Sequence, residues 1–247
     1  MIAACGPSGV GAHHDGGATS GDGGIDSDLQ GAPDGDPSVP DCTTLHLTIR
    51  DFSPSTHPDF EPDFDPDYGL EGIVKDTLGA DDKPVYAPPG PTEHTAGKMY
   101  FDEWYRDTPG INMTFPVTLP LVQMGSHGLV YDSMEFFPID GKGYGDEGNP
   151  HNFHFTTEVH TTFDYNGGET FTFIGDDDLW LFINKHLAID LGGLHPPETG
   201  TVELDARAAE LGLTKGKRYA MDIFHAERHT DSSNFHIETT IHCFDVP

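Results

Sequence analysis

The apolar positions of this chain fall in short runs that mostly alternate with polar ones, and that spacing predicts strands. Leu45-His46-Leu47-Thr48-Ile49-Arg50 alternates from its first residue, as a half-buried strand does. Further strands are expected at 111–121, 129–134, 201–204, 218–224 and 234–244. The cleanest period-two run spans 152–165, where Phe153, Phe155, Val159 and Phe163 share odd positions. Asn166-Gly167-Gly168 then reads as a hairpin turn into Phe171. Phe171 and Phe173 alternate with Thr, whereas Leu179, Leu181 and Ile183 alternate with Trp180, Phe182 and Asn184. The first of these reads as a strand with one apolar face, the second as a strand buried on both. Helical spacing is confined to 95–107, with Phe101, Trp104 and Tyr105 on one face, and to a turn at 206–211. The pattern is that of an all-β domain.

Composition narrows the function. Twelve basic residues against forty-two acidic ones give a formal charge of −30, which argues against nucleic acid and against electrostatic adhesion to anionic lipid. The same balance suits an extracellular protein that meets cations. Gly6 to Asp41 is a Gly, Asp, Ser and Pro tract without an aromatic residue; it lacks the apolar surface to offset ordering and reads as a tether. The residues before it, Ile2-Ala3-Ala4-Cys5, resemble a bacterial lipobox, which makes Cys5 a candidate lipidation site and the lipid the only membrane contact. Domain organisation is therefore a tether over 1–41 and a folded domain over 42–247, displayed from the bacterial outer membrane. Cys42 opens the folded part and Cys243 nearly closes it. A disulfide between them would tie the ends together, worth roughly 5 kcal/mol in the chain-entropy model; two unrelated thiols are the alternative.

Three consecutive acids, Asp176, Asp177 and Asp178, stand at the joint between two strands. Adjacent carboxylates repel, so such a run needs water or a cation to screen it. It is either a solvated turn or a calcium site, since calcium wants several oxygen ligands close together. Asp63, Asp65 and Asp67 lie among prolines at 54, 58, 62 and 66. They begin like an EF-hand loop, but the glycine comes one place late and Val74 holds the position of the final Glu, so they read as a solvated loop. His225-Ala-Glu-Arg-His229 puts Glu one place later than the zincin motif requires and leaves a strand instead of lying on a helix. His154 and His195 read as core or loop histidines. A glycoside-hydrolase pair made of Asp177 and Glu227 is a remote alternative.

Several segments carry a family resemblance: LHLTIRDF at 45–52, GIVKDTLGADDKPVY at 72–86, FDEWYRDTPGIN at 101–112 and FFPIDGKGYG at 136–145. Two longer ones are HNFHFTTEVHTTFDYNGGETFTFIGDDDLWLFINKHLAIDLGGLH at 151–195 and FHAERHTDSSNFHIETTI at 224–241. The chain resembles a fibro-slime domain over about 43–244, and that family looks like a branch of the protective-antigen-type (PA-fourteen) domains. The resemblance implies an antiparallel β-sandwich with long loops. It also implies a calcium-dependent carbohydrate-binding or adhesion module, in which an Asp-Asp pair binds calcium together with a later loop and the ion grips sugar hydroxyls. The pair aligns with Asp176 and Asp177, with Asp178 where relatives often have Gly. The later loop falls at 225–234, with Glu227, Asp231 and Asn234 as further ligands. Trp180, His225, Arg228 and His229 are then the candidates for contacting a glycan or polysaccharide. His225 stands near a position where flocculin lectins carry Asn, and imidazole is a poor calcium ligand. Assembly into an extracellular matrix with other proteins, around a stabilising calcium ion, is the alternative.

Overall fold

In a computed structural model of the chain, the described residues are 42–61, 68–125, 128–230 and 232–245. Cys5, the tether, the acids of 62–67 and Asp231 lie outside them. Eleven strands form two antiparallel sheets. The first is six-stranded and has the order β2 (Asn112–Pro120), β1 (Thr44–Phe52), β5 (Phe155–Tyr165), β10 (Lys217–Glu227), β7 (Asp178–Ile183), β8 (His186–Leu191). The second is five-stranded and runs β3 (Val122–Met124), β4 (Gly128–Ser133), β11 (Phe235–Thr239), β6 (Thr170–Gly175), β9 (Glu198–Glu203). This is the β-sandwich expected.

Between the sheets lies one apolar core. Leu47 and Ile49 of β1, Val159 and Phe163 of β5, and Met221 and Ile223 of β10 meet Phe171, Phe173, Phe235 and Ile237 of the facing sheet. The opposite face of the six-stranded sheet is covered as well. The described residues between 53 and 111 carry the helix α1 (Lys98–Trp104) and lay Phe60, Ile73, Val74, Tyr86, Phe101, Trp104 and Tyr105 against Trp180, Phe182, Phe224 and Ala226. Strand β7 is buried along its whole length. Leu179, Leu181 and Ile183 enter the first core, whereas Trp180 and Phe182 enter the second. Each large apolar side chain withdrawn from water contributes about 1.5–3 kcal/mol, so the two-sided strand anchors both layers.

Several element boundaries differ from the expected ones. The helix is shorter than 95–107 because Thr95 is not free to cap it: its hydroxyl bonds Tyr86 Oη at 2.6 Å and Thr92 Oγ1 at 3.0 Å. At the other end Asn112 Nδ2 donates to the carbonyls of Glu103 and Arg106 (3.0 and 2.9 Å), closing the last turn. The run expected at 111–121 is the strand β2, and a further short strand, β3, follows from Val122 in the other sheet because the chain crosses between sheets after Pro120. Asn166-Gly167-Gly168 is not a hairpin turn either. It carries the chain from β5 in one sheet to β6 in the other, with Glu169 accepting from the Asn166 and Gly167 amides, each at 2.7 Å. Strand β11 stops at Thr239 because the chain must return to β1 and β5. There Phe244 N reaches Cys42 O and Asp245 N reaches Thr162 O (3.3 and 2.9 Å). Cys42 and Cys243 are disulfide-bonded across that return, with Cα atoms 4.2 Å apart.

The face under 53–111 also holds an ion network. Glu158 is bonded by Arg50 Nη1 (2.6 Å), Lys83 Nζ and His160 Nε2, and His160 Nδ1 bonds Asp222 Oδ1 at 2.6 Å. Burial alone would lower the His160 pKa, but Asp222 and Glu158 outweigh it and raise the value from the ordinary 6.5 to about 9. Burial would raise Glu158, yet His160, Lys83 and Arg50 hold it down at about 2 instead of 4.5. A raised imidazole pKa stabilises the fold fully below about 6.5 and ceases to do so as pH climbs through about 9. A depressed carboxyl stabilises it above about 4.5 and fails as pH falls through about 2. Melting temperature is therefore expected to decline as pH rises from 6.5 to 9, and His160→Gln should flatten that decline. Parallel pH–melting curves for the two proteins check it; equal slopes would exclude this cause.

Candidate functional site

Strand β6 ends at Gly175 and β7 begins at Asp178, so Asp176 and Asp177 form the crossing between the two sheets. A side chain at Gly175 would come within 2.4 Å of the Phe173 ring and 2.7 Å of Asn234 O, so the β11 approach presses directly on this turn. Asp177 adopts φ 56°, a left-handed conformation that Asp tolerates better than most residues. The three carboxylates consequently point to three different sets of partners.

Asp176 faces the segment before β11. It accepts hydrogen bonds from Asn234 N (2.7 Å), Asn234 Nδ2 (2.6 Å) and Ser232 Oγ (2.5 Å). Asp177 accepts from Arg228 N at 2.8 Å, and its own amide faces His195 O at 3.4 Å. Asp178 is fully buried and paired with Arg228, whose Nε and Nη2 both lie 2.6 Å from Oδ2. Asp178 Oδ1 accepts from Gly193 N at 2.6 Å. Gly193 sits at φ +92°, and a Cβ there would lie 2.8 Å from both His94 Nδ1 and Leu70 N. Arg228 Nη1 donates to the carbonyls of Asp59 and His94, each at 3.0 Å, and the guanidinium lies 4.7 Å from the Trp104 ring centroid. Asp178 thus neutralises a structural arginine, which leaves Asp176 and Asp177 as the pair facing the loop.

Glu227 ends β10 on the same face as Met221, Ile223 and His225, between the sheets. It is 1% exposed, and neither carboxylate oxygen has a hydrogen-bond partner of ordinary geometry. Burial, then the charges of Asp177 and Asp176, push its pKa well up, against weak opposition from the Ser233 hydroxyl and the His229 amide. Asp177 is likewise pushed up by burial, to about 7, despite Arg228. Two neighbouring carboxyls therefore resist ionisation where they stand. Among the described residues, no three carboxylates, imidazoles or thiols at this end bring ligand atoms within 4.8 Å of one another; the group that does is Cys42, Cys243 and Asp245, with its two sulfurs bonded together.

Three of the expected ligand-contacting residues are interior ones. Trp180 is fully buried in the second core and donates its indole N–H to Asp190 at 2.8 Å, so it offers a ligand no face. His225 belongs to β10, not to a loop, and lies among Phe136, Phe155, Phe173 and Phe235 with ring centroids 5.2–6.3 Å away. Burial lowers its pKa to about 4, so it is a neutral core histidine. Arg228 is buried as described. His229 is part-exposed, with Nε2 3.6 Å from Glu61 Oε1, so the two histidines of the HAERH stretch serve different layers. The loop begins after Glu227, three residues later than expected. A cavity of about 530 Å³ lined by Glu71, Asp76, His186, Asp190, Arg207 and Glu210 opens elsewhere and gathers none of the expected site residues.

Residues 139–246, which contain the Asp176–Asp177 turn, Glu227 and Asn234, match the family model of the PA14 domain. Over that stretch the chain is similar to PA14 domains. Similar curated proteins are psiD and psiC of Dictyostelium discoideum, both 40% identical over 82% and 80% of this chain. The matches span 42% and 41% of those proteins, so the chain covers less than half of their length. A solved PA14 sugar-binding domain from an RTX adhesin matches 80% of this chain and 89% of its own, at 8% identity and a TM-score of 0.34, an overlap too small to carry weight. PA14 is a fold of the carbohydrate-binding and adhesion type. The expected bacterial outer-membrane location finds no support in the Dictyostelium relatives. No helix among the described residues is long and apolar enough to cross a membrane.

Proposed function

We propose that this PA14-like domain is a cell-surface or extracellular module that binds carbohydrate through a calcium ion, without catalysis. The observation that carries the reading is the pair of buried carboxyls Asp177 and Glu227, whose burial outweighs the donors around them. Their neighbour Asp178 takes up the guanidinium of Arg228, and Glu227 has only the weak opposition of the Ser233 hydroxyl and the His229 amide to its burial. Asp176, Asp177, Glu227 and Asn234 offer only hard oxygen atoms, and the amide carbonyls of the following loop add more, which is the chemistry calcium selects. Bound there, calcium would supply a positive centre and open coordination positions for vicinal hydroxyls. The disulfide fits an oxidising, extracellular setting.

One observation favours a second reading. Asp176 and Asp177 are only 5% and 6% exposed, so an ion between them could serve the fold alone, within a module that assembles with other matrix proteins. Both readings require the ion. Calcium is expected to raise the melting temperature, adding about 2.7 kcal/mol at a hundredfold excess over its Kd. Asp177→Asn should remove most of that gain, because the amide keeps the volume and one carbonyl oxygen but not the charge. An unchanged melting temperature in EDTA, with no calcium heat in titration calorimetry, would sink the proposal.

A further inference from the structure

We propose that His154 is a pH-operated latch on the loop 140–148. Protonated, it clamps Glu147 of that loop to Glu61 of the layer over the first sheet; on losing its proton it lets the loop go. His154 stands just before β5 with its side chain buried between two carboxylates. Nε2 lies 3.0 Å from Glu61 Oε2, and Nδ1 lies 3.3 Å from Glu147 Oε2. A neutral imidazole carries one N–H, so its other nitrogen would turn a lone pair toward a carboxylate. Only the imidazolium is attracted to both sides at once.

The loop is least relaxed where His154 holds it. Gly141, Gly143, Gly145 and Gly148 adopt left-handed φ values from 60° to 91°, and Glu147 joins them at 50°. That region is open to glycine and unfavourable for glutamate, so the turn depends on the ties to the Glu147 carboxylate. Ser53 Oγ donates to Oε1 at 2.6 Å, and His154 faces Oε2. Farther along, Tyr144 N donates to Asp51 Oδ2 at 2.6 Å and Asn152 Nδ2 to Asp51 Oδ1 at 2.8 Å. A Cβ at Gly143 would run into that same Oδ2, so the loop backbone lies directly on the Asp51 carboxyl. Release of the loop would uncover Asp51 and Asn152, which are now buried.

The charged groups around the latch decide which side moves and in which direction. Glu61 is held independently of His154. Its amide donates to Arg228 O at 2.7 Å, Thr230 Oγ1 donates to its Oε1 at 3.0 Å, and His229 Nε2 lies 3.6 Å from that oxygen. The Glu147 side is therefore the one that opens. Asp51, from β1, acts in the same sense as His154. Burial, helped by Glu147, raises its pKa from 3.8 to about 6 against Asn152, the Tyr144 amide and His154. A carboxyl with a raised pKa favours the closed form while protonated and ceases to as pH climbs through that value. Rising pH thus removes the imidazolium and adds a negative charge beside Glu147 together.

Hydrogen exchange of the full chain, read by mass spectrometry at about pH 5.5 and about pH 8, spans the range in which imidazoles titrate. After correction for the intrinsic pH dependence of exchange, the amides of 141–148 should be about tenfold better protected at the acid pH. Amides at the centres of β5 and β10 serve as the reference and should not change. His154→Gln, which cannot take up a charge, should show the weaker loop protection at both pH values. Glu147→Gln should lose the pH dependence as well, and it tests the latch from the loop side if His154→Gln fails to fold. Equal protection of the wild-type loop at the two pH values overturns the proposal. A pH-dependent loop that persists in a folded His154→Gln or Glu147→Gln also overturns it, and would place the control in Asp51.

Discussion

Arg228→Met should cost about 3–5 kcal/mol of unfolding free energy, far more than loss of any surface charge. The guanidinium is wholly enclosed, and so is its partner Asp178. Removing Arg228 leaves a carboxylate in the interior with only the Gly193 amide to hold it. It also frees the Asp59 and His94 carbonyls from their donor. Breaking one half of a buried pair is costly because the other half stays charged and dry, whereas removing both halves can be nearly neutral. Arg228→Met combined with Asp178→Asn should therefore be less destabilised than the two single changes added together, which urea denaturation of all four proteins measures. A single-variant cost below about 1 kcal/mol would mean that the pair is hydrated and not structural. Asp178→Asn alone should harm stability instead of calcium binding, the reverse of Asp177→Asn.

That contrast could not be read from three identical letters in a row. Repulsion among Asp176, Asp177 and Asp178 was legible, as was the need for a counter-charge. Which acid takes which partner depends on the left-handed step at Asp177, which turns each carboxylate in a different direction. Arg228 was misread as a ligand contact for a related reason. A basic residue in a polar run looks exposed, and nothing local reveals that residues 53–111 fold over it. The same hidden layer accounts for Trp180. The unbroken apolar run Leu179–Ile183 correctly marked β7 as buried on both faces, yet the covering segment is broken by prolines and has no period of its own. His225 was assigned to a loop because the polar letters HAER end the apolar run, although β5 still pairs with them as far as Glu227.

Fold class and most strand cores were legible because one face of each strand is apolar. Sheet membership was not. Asn166-Gly167-Gly168 has the composition of a hairpin turn, and only the burial of Phe163 and Phe171 in one shared core shows that it joins two sheets. The true tight hairpin, from β7 to β8, turns on Asn184 and Lys185 at φ 50° and 67°. Lysine at the second place, where Gly is the usual residue, concealed it.

Opening the Cys42–Cys243 bridge should lower the melting temperature by roughly 10–20 °C, from a loss approaching 5 kcal/mol in a domain of this size. The bridge closes a loop of sequence separation 201, and its effect in the chain-entropy model lies in the unfolded ensemble, which it prevents from expanding. Its local setting supports the native return independently. Phe244 N donates to Cys42 O at 3.3 Å, and Asp245 O accepts from Thr161 Oγ1 and Thr162 N, each at 2.9 Å. The Cys42→Ser/Cys243→Ser variant should therefore keep its β-sheet spectrum and its response to calcium, while unfolding with a steeper urea dependence because more surface is exposed on unfolding. The calcium response is the sharper of these checks, since the bridge and the Asp176–Asp177 turn share no partner residue. Equal melting temperatures for wild type and variant, after thiol titration shows the wild-type bridge intact, would place its contribution near zero. A variant that loses sheet structure at room temperature would instead show that the hydrogen bonds of Phe244 and Asp245 cannot hold the two ends of the sandwich without it.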